Sequence, residues 1–132
     1  MRILIDTNLW ISALISPSIR ERIYYIIADK DIDIIGSADL IQELREVILR
    51  PKFRKYLTVE QAKAFIDILT ERLDLITSTT VVNVCRDPND DYLLGICLDG
   101  HIDYFITGDT DLLILNPFHK TKILTLTDFE QV

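Results

Sequence analysis

Short apolar runs alternate along this chain with segments whose apolar residues recur at helical spacing, and this alternation constrains the fold more than any other feature. The apolar runs are residues 3–5, 32–36, 81–84, 104–107 and 122–126. The first is uninterrupted Ile-Leu-Ile, which is typical of a strand covered on both faces. Strands that alternate with helices predict an α/β fold around a mostly parallel sheet.

The predicted helices have clear start and stop signals. They cover residues 8–14, 18–29, a segment from Ser37 or Asp39 to the residue before Pro51, 58–73 and 87–100. Ser16-Pro17 separates the first two helices, and Thr58 with Gln61 has the form of a capping box. Asp87 followed by Pro88 is a strong N-cap signal for the last of these helices.

Length and composition predict one globular domain over residues 1–132. A chain of 132 residues with 48% hydrophobic and 27% charged residues can bury enough apolar surface to fold, which excludes a disordered class. No apolar run approaches the length of a membrane span, and Asp6 comes too early for a signal peptide. We therefore expect a soluble, cytoplasmic protein. Cys85 and Cys97 fit no metal-ligand spacing, so reduced thiols are expected.

The acidic residues are concentrated in one region. The chain carries 14 Lys and Arg against 21 Asp and Glu, for a net charge of −7. Residues 87–111 hold seven acids and no Lys or Arg, so the other 107 residues are balanced. Because phosphate affinity comes from Lys and Arg, a net acidic chain is a poor passive binder of nucleic acid. The local excess of acids indicates a cation instead.

Three acids stand where strands end or a helix begins. Asp6 follows the first strand, Asp91 lies at the start of the Pro88 helix, and Asp109 follows the strand that ends at Thr107. In a parallel sheet these positions share the carboxyl edge, where open α/β sheets place their sites. Any one Asp after a strand is most often a turn or cap residue. The three together favour a shared site.

Helical geometry adds a fourth acid and leaves two positions open. Among the acids of the helix that precedes Pro51, Glu43 lies closest to the buried stripe. Periodicity does not separate Asp90 from Asp91, since both fall near the stripe of the following helix. Asp111 is either a ligand or the cap of a turn.

Clustered carboxylates repel one another unless a cation or protons neutralise them. Mg²⁺ or Mn²⁺ suits a site made only of oxygen ligands, and a water bound to such an ion is more acidic and can attack a phosphodiester. Asn8 and Thr107 are uncharged polar residues that could orient this water or a ligand carboxylate. The residues thus predict a metal-dependent hydrolase.

Three segments of the chain carry a family resemblance. They are Ile5-Asp6-Thr7-Asn8, Asp91-Tyr92-Leu93-Leu94-Gly95 and Thr107-Gly108-Asp109-Thr110-Asp111-Leu112. In this order they resemble a PIN domain, particularly the prokaryotic PIN proteins that are toxins of toxin–antitoxin pairs. The resemblance covers essentially the whole chain, and Asp-Pro-Asn-Asp-Asp at 87–91 and Thr-Gly-Asp-Thr-Asp-Leu at 107–112 are its most specific parts.

The resemblance implies a three-layer α/β/α sandwich and metal-dependent endonucleolytic cleavage of RNA. It places the family's catalytic, metal-binding acids on Asp6, Glu43, Asp91 and Asp109, and thereby selects Asp91 over Asp90. It places Asn8, Thr107 and Asp111 in supporting positions. It also implies a homodimer and a cognate antitoxin partner.

A basic segment is the candidate RNA-binding surface. Arg50, Lys52, Arg54 and Lys55 are interleaved with Phe53 and followed by Tyr56. Cations interleaved with aromatic rings are typical of surfaces that bind single-stranded nucleic acid. A solvated connection between two helices explains the same residues equally well.

Three other functions are weighed against a ribonuclease. A receiver-type Mg²⁺-binding phosphoacceptor domain would need paired acids after its first strand and a Lys after its last, whereas Asp6 stands alone and Lys120 and Lys122 precede the last strand. A flap or DNA nuclease normally requires extra elements for which 132 residues leave no room. A catalytically degenerate, partner-binding module is disfavoured because all four candidate acids are present.

Overall fold

The computed structural model describes all 132 residues and has a five-stranded, entirely parallel sheet in the order β3-β2-β1-β4-β5. The strands are β1 (Arg2–Ile5), β2 (Asp33–Gly36), β3 (Asp74–Leu75), β4 (Tyr104–Ile106) and β5 (Lys122–Leu124). Ile3, Leu4 and Ile5 of the central strand are all fully buried. Because successive strand side chains point to opposite faces, both faces of the sheet are covered. The predicted α/β class with a mostly parallel sheet is confirmed.

Seven helices connect and cover the strands. They are α1 (Thr7–Ile15), α2 (Pro17–Ala28), α3 (Ala38–Ile48), α4 (Val59–Arg72), α5 (Asp91–Asp99), α6 (Thr110–Leu113) and α7 (Leu126–Phe129). Two 3-10 turns, Pro51–Phe53 and Pro88–Asp90, precede α4 and α5. No helix is both long enough and apolar enough to cross a membrane.

The helix boundaries follow the capping signals in the sequence. Ser16 caps α2, and Pro17 occupies its first position. Thr58 and Gln61 form the predicted capping box of α4, with both reciprocal hydrogen bonds present. These side chains satisfy backbone N–H groups that a helix start leaves without partners.

The core is one contiguous cluster of 32 buried hydrophobic residues. Trp10 of α1 is its largest fully buried side chain and contacts the ring of Phe65 on α4, with ring centroids 6.4 Å apart. Leu44 of α3 is also fully buried. The central strand and the helices packed on it thus share one core, which holds the strand ends in fixed positions.

The strand register places the carboxyl ends of β1 and β4 side by side. Ile5 of β1 pairs with Ile106 of β4, so Asp6 and Thr107 follow the paired residues on neighbouring strands. The Asp6 N–H donates to the Ile106 carbonyl at 3.0 Å, which continues the ladder one residue further. The predicted shared carboxyl edge is therefore present.

The strand predicted at 81–84 is wrong. This segment has no regular secondary structure, and Val81 is 91% exposed. The third strand is instead Asp74–Leu75, which directly follows α4 and pairs with β2 at the edge of the sheet. An edge strand of two residues carries too little hydrophobic pattern to be recognised from sequence.

The end of the chain also differs from the prediction. β5 stops at Leu124 rather than at 126, because the Thr125 hydroxyl accepts the Asp128 N–H and begins α7. Leu126 and Phe129 of this short helix are buried. The apolar residues that suggested a longer strand therefore belong to a helix packed on the core.

Candidate acidic site at the carboxyl edge of the sheet

The Thr107 hydroxyl forms hydrogen bonds with two acids that follow neighbouring strands. Its hydroxyl donates to Asp6 Oδ2 at 2.6 Å and accepts the Asp109 N–H at 3.0 Å. Asp109 Oδ1 accepts the Asp111 N–H at 2.9 Å and caps α6. Asp6 is only 5% exposed and Thr107 is fully buried. The geometry of Asp6 and Asp109 is therefore set by hydrogen bonds within a buried network.

Glu43 is held toward the same region by two hydroxyl groups. Its Oε2 accepts hydrogen bonds from Thr7 Oγ1, at 3.1 Å, and from the Tyr92 hydroxyl. Burial, followed by the hydrogen bond and the charge of Glu43, raises the pKa of Tyr92, so this hydroxyl stays protonated and donates. Neither Thr7 nor Tyr92 is predicted from the sequence as a site residue. The available signal was their position directly after Asp6 and Asp91.

The structure separates the two consecutive acids that precede and begin α5. The Asp91 carboxylate turns to the preceding loop, where its Oδ1 accepts the N–H groups of Val84 at 3.1 Å and Cys85 at 2.9 Å. These bonds, the Cys85 amide foremost, lower the pKa of Asp91. Burial, followed by the charges of Asp6, Asp87, Asp109 and Glu43, instead raises the pKa of Asp90. This placement differs from the expectation that Asp91 faces the other acids.

The pKa values of the acids reflect their convergence. Burial raises the pKa of Asp6, hydrogen bonds from Thr107 and the Asn8 amide oppose this effect, and the charges of Glu43 and Asp109 add to it. Burial also raises the pKa of Asp90, to about 6, and the charge of Asp6 is the next largest cause. We use the name acid group for Asp6, Glu43, Asp90 and Asp109.

Other predicted site residues lie at the edge of the acid group. The Asn8 side chain is exposed and lines a shallow groove together with Gly108 and Asp109. The Asp111 carboxylate lies 3.6 Å from the exposed Arg86 guanidinium, so it has a partner of its own.

Cys85 is close to the acids, and burial followed by its contacts with Asp91 raises its pKa to about 12. Its thiol is thus protonated at neutral pH and is a poor nucleophile.

The basic segment divides into exposed and anchored cations. Arg50, Lys52 and Lys55 are exposed, and the ammonium groups of the two lysines lie 5.1 Å from the ring centroids of Phe53 and Tyr56 respectively. Arg54 is half-buried and donates to the Ile48 carbonyl, which fastens this turn to the end of α3. Three of the four predicted RNA-binding cations are therefore available to solvent.

The donor chemistry of the acid group fits a hard divalent cation. In the present rotamers no three His, Cys, Asp or Glu side chains form a complete ligand set. All four members nevertheless offer carboxylate oxygens, the ligands that Mg²⁺ and Mn²⁺ prefer. Burial first, and then the charges of neighbouring acids, raise the pKa of Asp6 and Asp90, and a bound cation would offset both effects.

The raised pKa of Asp90 predicts a pH-dependent stability in the absence of metal. Folded Asp90 binds its proton more tightly than unfolded Asp90, so the stabilisation is complete below pH 3.8 and is lost as the pH rises through about 6. With allowance for solvent screening, we expect a loss of about 1 kcal/mol, or about 4 °C in Tm.

Thermal unfolding in EDTA measures this effect as the difference in Tm between wild type and Asp90→Asn. The variant should be the more stable protein at pH 7, and the difference should shrink toward pH 4. A constant difference across this range would show that Asp90 does not titrate in the acid group.

Comparisons with known proteins support the fold and the family. A family model described as PIN domain matches residues 2–111. "Uncharacterized protein MJ1680" of Methanocaldococcus jannaschii is 35% identical over 124 residues, which cover 91% of this chain and 78% of that protein.

Two solved structures share the fold at low sequence identity. VapBC2 from Rickettsia felis, bound to a DNA fragment from the promoter, contains a chain that superposes with a TM-score of 0.63 at 15% identity, covering 93% of this chain and 97% of that one. VapBC-1 from nontypeable Haemophilus influenzae gives a TM-score of 0.62 at 16% identity, with 96% and 99% coverage.

Proposed function

Because this chain belongs to the PIN domain family, we propose that it is a metal-dependent endoribonuclease that hydrolyses RNA phosphodiester bonds. The observation that carries this proposal is the acid group itself. Asp6 is almost completely buried at the carboxyl edge of the sheet, and it interacts with the charges of Glu43, Asp90 and Asp109. Such a concentration of carboxylates is costly without a cation, and it has the chemistry of a metal-dependent phosphodiesterase.

Asp6, Glu43, Asp90 and Asp109 are the residues that would hold Mg²⁺ or Mn²⁺. When bound, the cation would supply a water of lowered pKa and would offset the charge of the phosphate. We take Asp90 rather than Asp91 from the consecutive pair, because Asp91 is engaged by two loop amides and the charge of Asp6 acts on Asp90.

The remaining polar residues position these acids. Thr107 holds Asp6 and Asp109 at a fixed separation, and Thr7 and Tyr92 orient Glu43. Asp91 fixes the loop before the 3-10 turn by accepting two of its amide hydrogens. Outer hydrogen bonds of this kind commonly change metal affinity or activity by about 10–100-fold when they are removed.

RNA and protein partners complete the proposal. The exposed cations Arg50, Lys52 and Lys55 offer contacts to RNA phosphates outside the acid group. Two solved structures with this fold are VapBC proteins, which supports a toxin role with a cognate antitoxin as partner. We also propose a homodimer and a cytoplasmic location, as the family resemblance implies.

Cleavage of defined single-stranded RNAs tests the proposed function. The purified protein should cleave RNA with Mn²⁺ or Mg²⁺ and should lose this activity in EDTA. Metal at about 100 times its Kd should also stabilise the protein by about 3 kcal/mol, measured as a rise in Tm. Intact RNA under all metal conditions, together with an unchanged Tm, would instead indicate a degenerate, partner-binding PIN domain.

A further inference from the structure

We propose that a groove beside the acid group is a subsite for one nucleobase of the RNA, with a preference for bases that carry an exocyclic amino group. This inference rests on the proposed function and names a determinant of its specificity. The groove has a volume of about 280 Å³ and lies between the start of α3, the loop segment 78–82 and the side of α5. This volume is close to the lower limit of small-molecule pockets, about 300 Å³, so it suits a single planar ring system.

Residues of α3 and α5 border both the groove and the acid group. Asp39 and Glu43 are one turn apart on α3 and so lie on the same side of the helix. Tyr92 lines the groove while its hydroxyl donates to Glu43 in the acid group. A nucleotide whose phosphate lies at the acid group would therefore have a base within reach of the groove.

The loop that forms the opposite wall is held rigidly on α5. Asp99 accepts hydrogen bonds from Ser78 Oγ at 2.8 Å, from the Thr79 and Thr80 amides at 2.9 and 3.0 Å, and from Thr80 Oγ1 at 2.5 Å. Gly95 permits this close approach, because a Cβ at that position would lie 2.8 Å from the Thr80 carbonyl oxygen. A wall fixed before binding lowers the entropic cost of taking up a ligand.

The side chains in the groove fit a base better than a phosphate. Val82, Ile96 and Tyr92 offer apolar and aromatic surface, and the lining contains no Lys or Arg. Two of its hydroxyl groups, those of Ser78 and Thr80, already donate to Asp99, and its two carboxylates, Asp39 and Asp91, only accept hydrogen bonds. Asp91 is already engaged by two loop amides, whereas Asp39 is exposed and belongs to neither of the two ion pairs of the protein.

A carboxylate without a partner, in a groove that has no Lys or Arg, selects for hydrogen-bond donors. Adenine, cytosine and guanine present an amino group to such an acceptor, whereas uracil presents two carbonyl groups around a single N–H. Asp39 should therefore favour the first three bases over uracil. One well-formed hydrogen-bonded contact to a base edge is typically worth about tenfold in discrimination.

Binding of short RNAs to a cleavage-deficient protein tests the subsite. In the Asp6→Asn background, fluorescence anisotropy with labelled oligo(A), oligo(C) and oligo(U) pentamers should give about tenfold weaker binding for oligo(U). Asp39→Asn should reduce this preference to less than about twofold. Glu46→Gln removes the same charge from another exposed position of α3 and should preserve the preference.

A second variant fills the groove without changing its charge. Val82→Trp should weaken binding of oligo(A) and oligo(C) to the level of oligo(U), while the rise in Tm with Mn²⁺ stays as in wild type. Equal affinities for the three pentamers before any groove substitution would overturn the subsite, as would an unchanged preference in Asp39→Asn. Wild-type protein that cleaves all three pentamers equally would reject the subsite and retain the nuclease, whereas failure to cleave any RNA would reject the proposed function.

Discussion

Asp6→Asn is expected to lower the rate of RNA cleavage by about 10³-fold or more while the protein remains folded. The loss follows because Asp6 is the most buried member of the acid group and is repelled by the charges of both Glu43 and Asp109. An asparagine still offers an oxygen that accepts the Thr107 hydrogen bond, so the link between the two strand ends is preserved.

Asp103→Asn is the matched control for this experiment. Asp103 is exposed at the opposite edge of the sheet, where it accepts the Arg2 N–H at 2.9 Å, and its substitution also removes one negative charge. We expect cleavage by Asp103→Asn within about twofold of wild type, since surface substitutions rarely have larger effects. Without metal, Asp6→Asn should melt at a higher temperature than wild type because it removes a desolvated, repelled charge. Full activity in Asp6→Asn would remove the acid group from the mechanism.

Asp90→Asn is expected to lower cleavage by about 100-fold, whereas Asp91→Asn should retain activity within about fivefold of wild type. The difference follows from the surroundings of the two carboxylates. Asp90 interacts with Asp6, Asp109 and Glu43, and the amide cannot replace its charge toward a cation. Asp91 accepts two loop N–H groups through Oδ1, and an asparagine oxygen can accept the same bonds.

Parallel measurements of kcat and of the Mn²⁺-dependent rise in Tm distinguish the two residues. Asp90→Asn should lose most of the rise in Tm, and Asp91→Asn should keep it. Asp91→Ala, which cannot accept the loop amides, should weaken activity more than Asp91→Asn does. An inactive Asp91→Asn beside an active Asp90→Asn would favour the assignment that the family motif implies over the one based on geometry.

The sequence was sufficient for most of the architecture. The uninterrupted apolar run before Asp6 predicted a central strand covered on both faces, and chain direction alone predicted that Asp6 and Asp109 share an edge of the sheet. The position of Glu43 followed from helical periodicity. These predictions succeeded because each depends on local pattern and strand direction, which the residues encode directly.

The sequence was insufficient where side chains or backbone find partners far along the chain. Val81-Val82-Asn83-Val84 has the composition of a strand, but the loop that contains it packs on α5. Before this segment the loop contacts Asp99 and Gly95, and after it the Cys85 N–H donates to Asp91. β propensity describes a tendency to fill a half-buried pleated surface, and here no neighbouring strand provides one.

The amino-acid sequence by itself determined the fold class, the family and the edge of the sheet at which the acids gather, because strand direction and hydrophobic period are local properties of the chain. Only the tertiary structure decided that Asp91 holds a loop while the charge of Asp6 helps to raise the pKa of Asp90, and that Thr7 and Tyr92 orient Glu43. Consecutive residues at a helix start share almost the same periodicity, so the direction of each carboxylate depends on the distant amides, hydroxyls and charges that surround it.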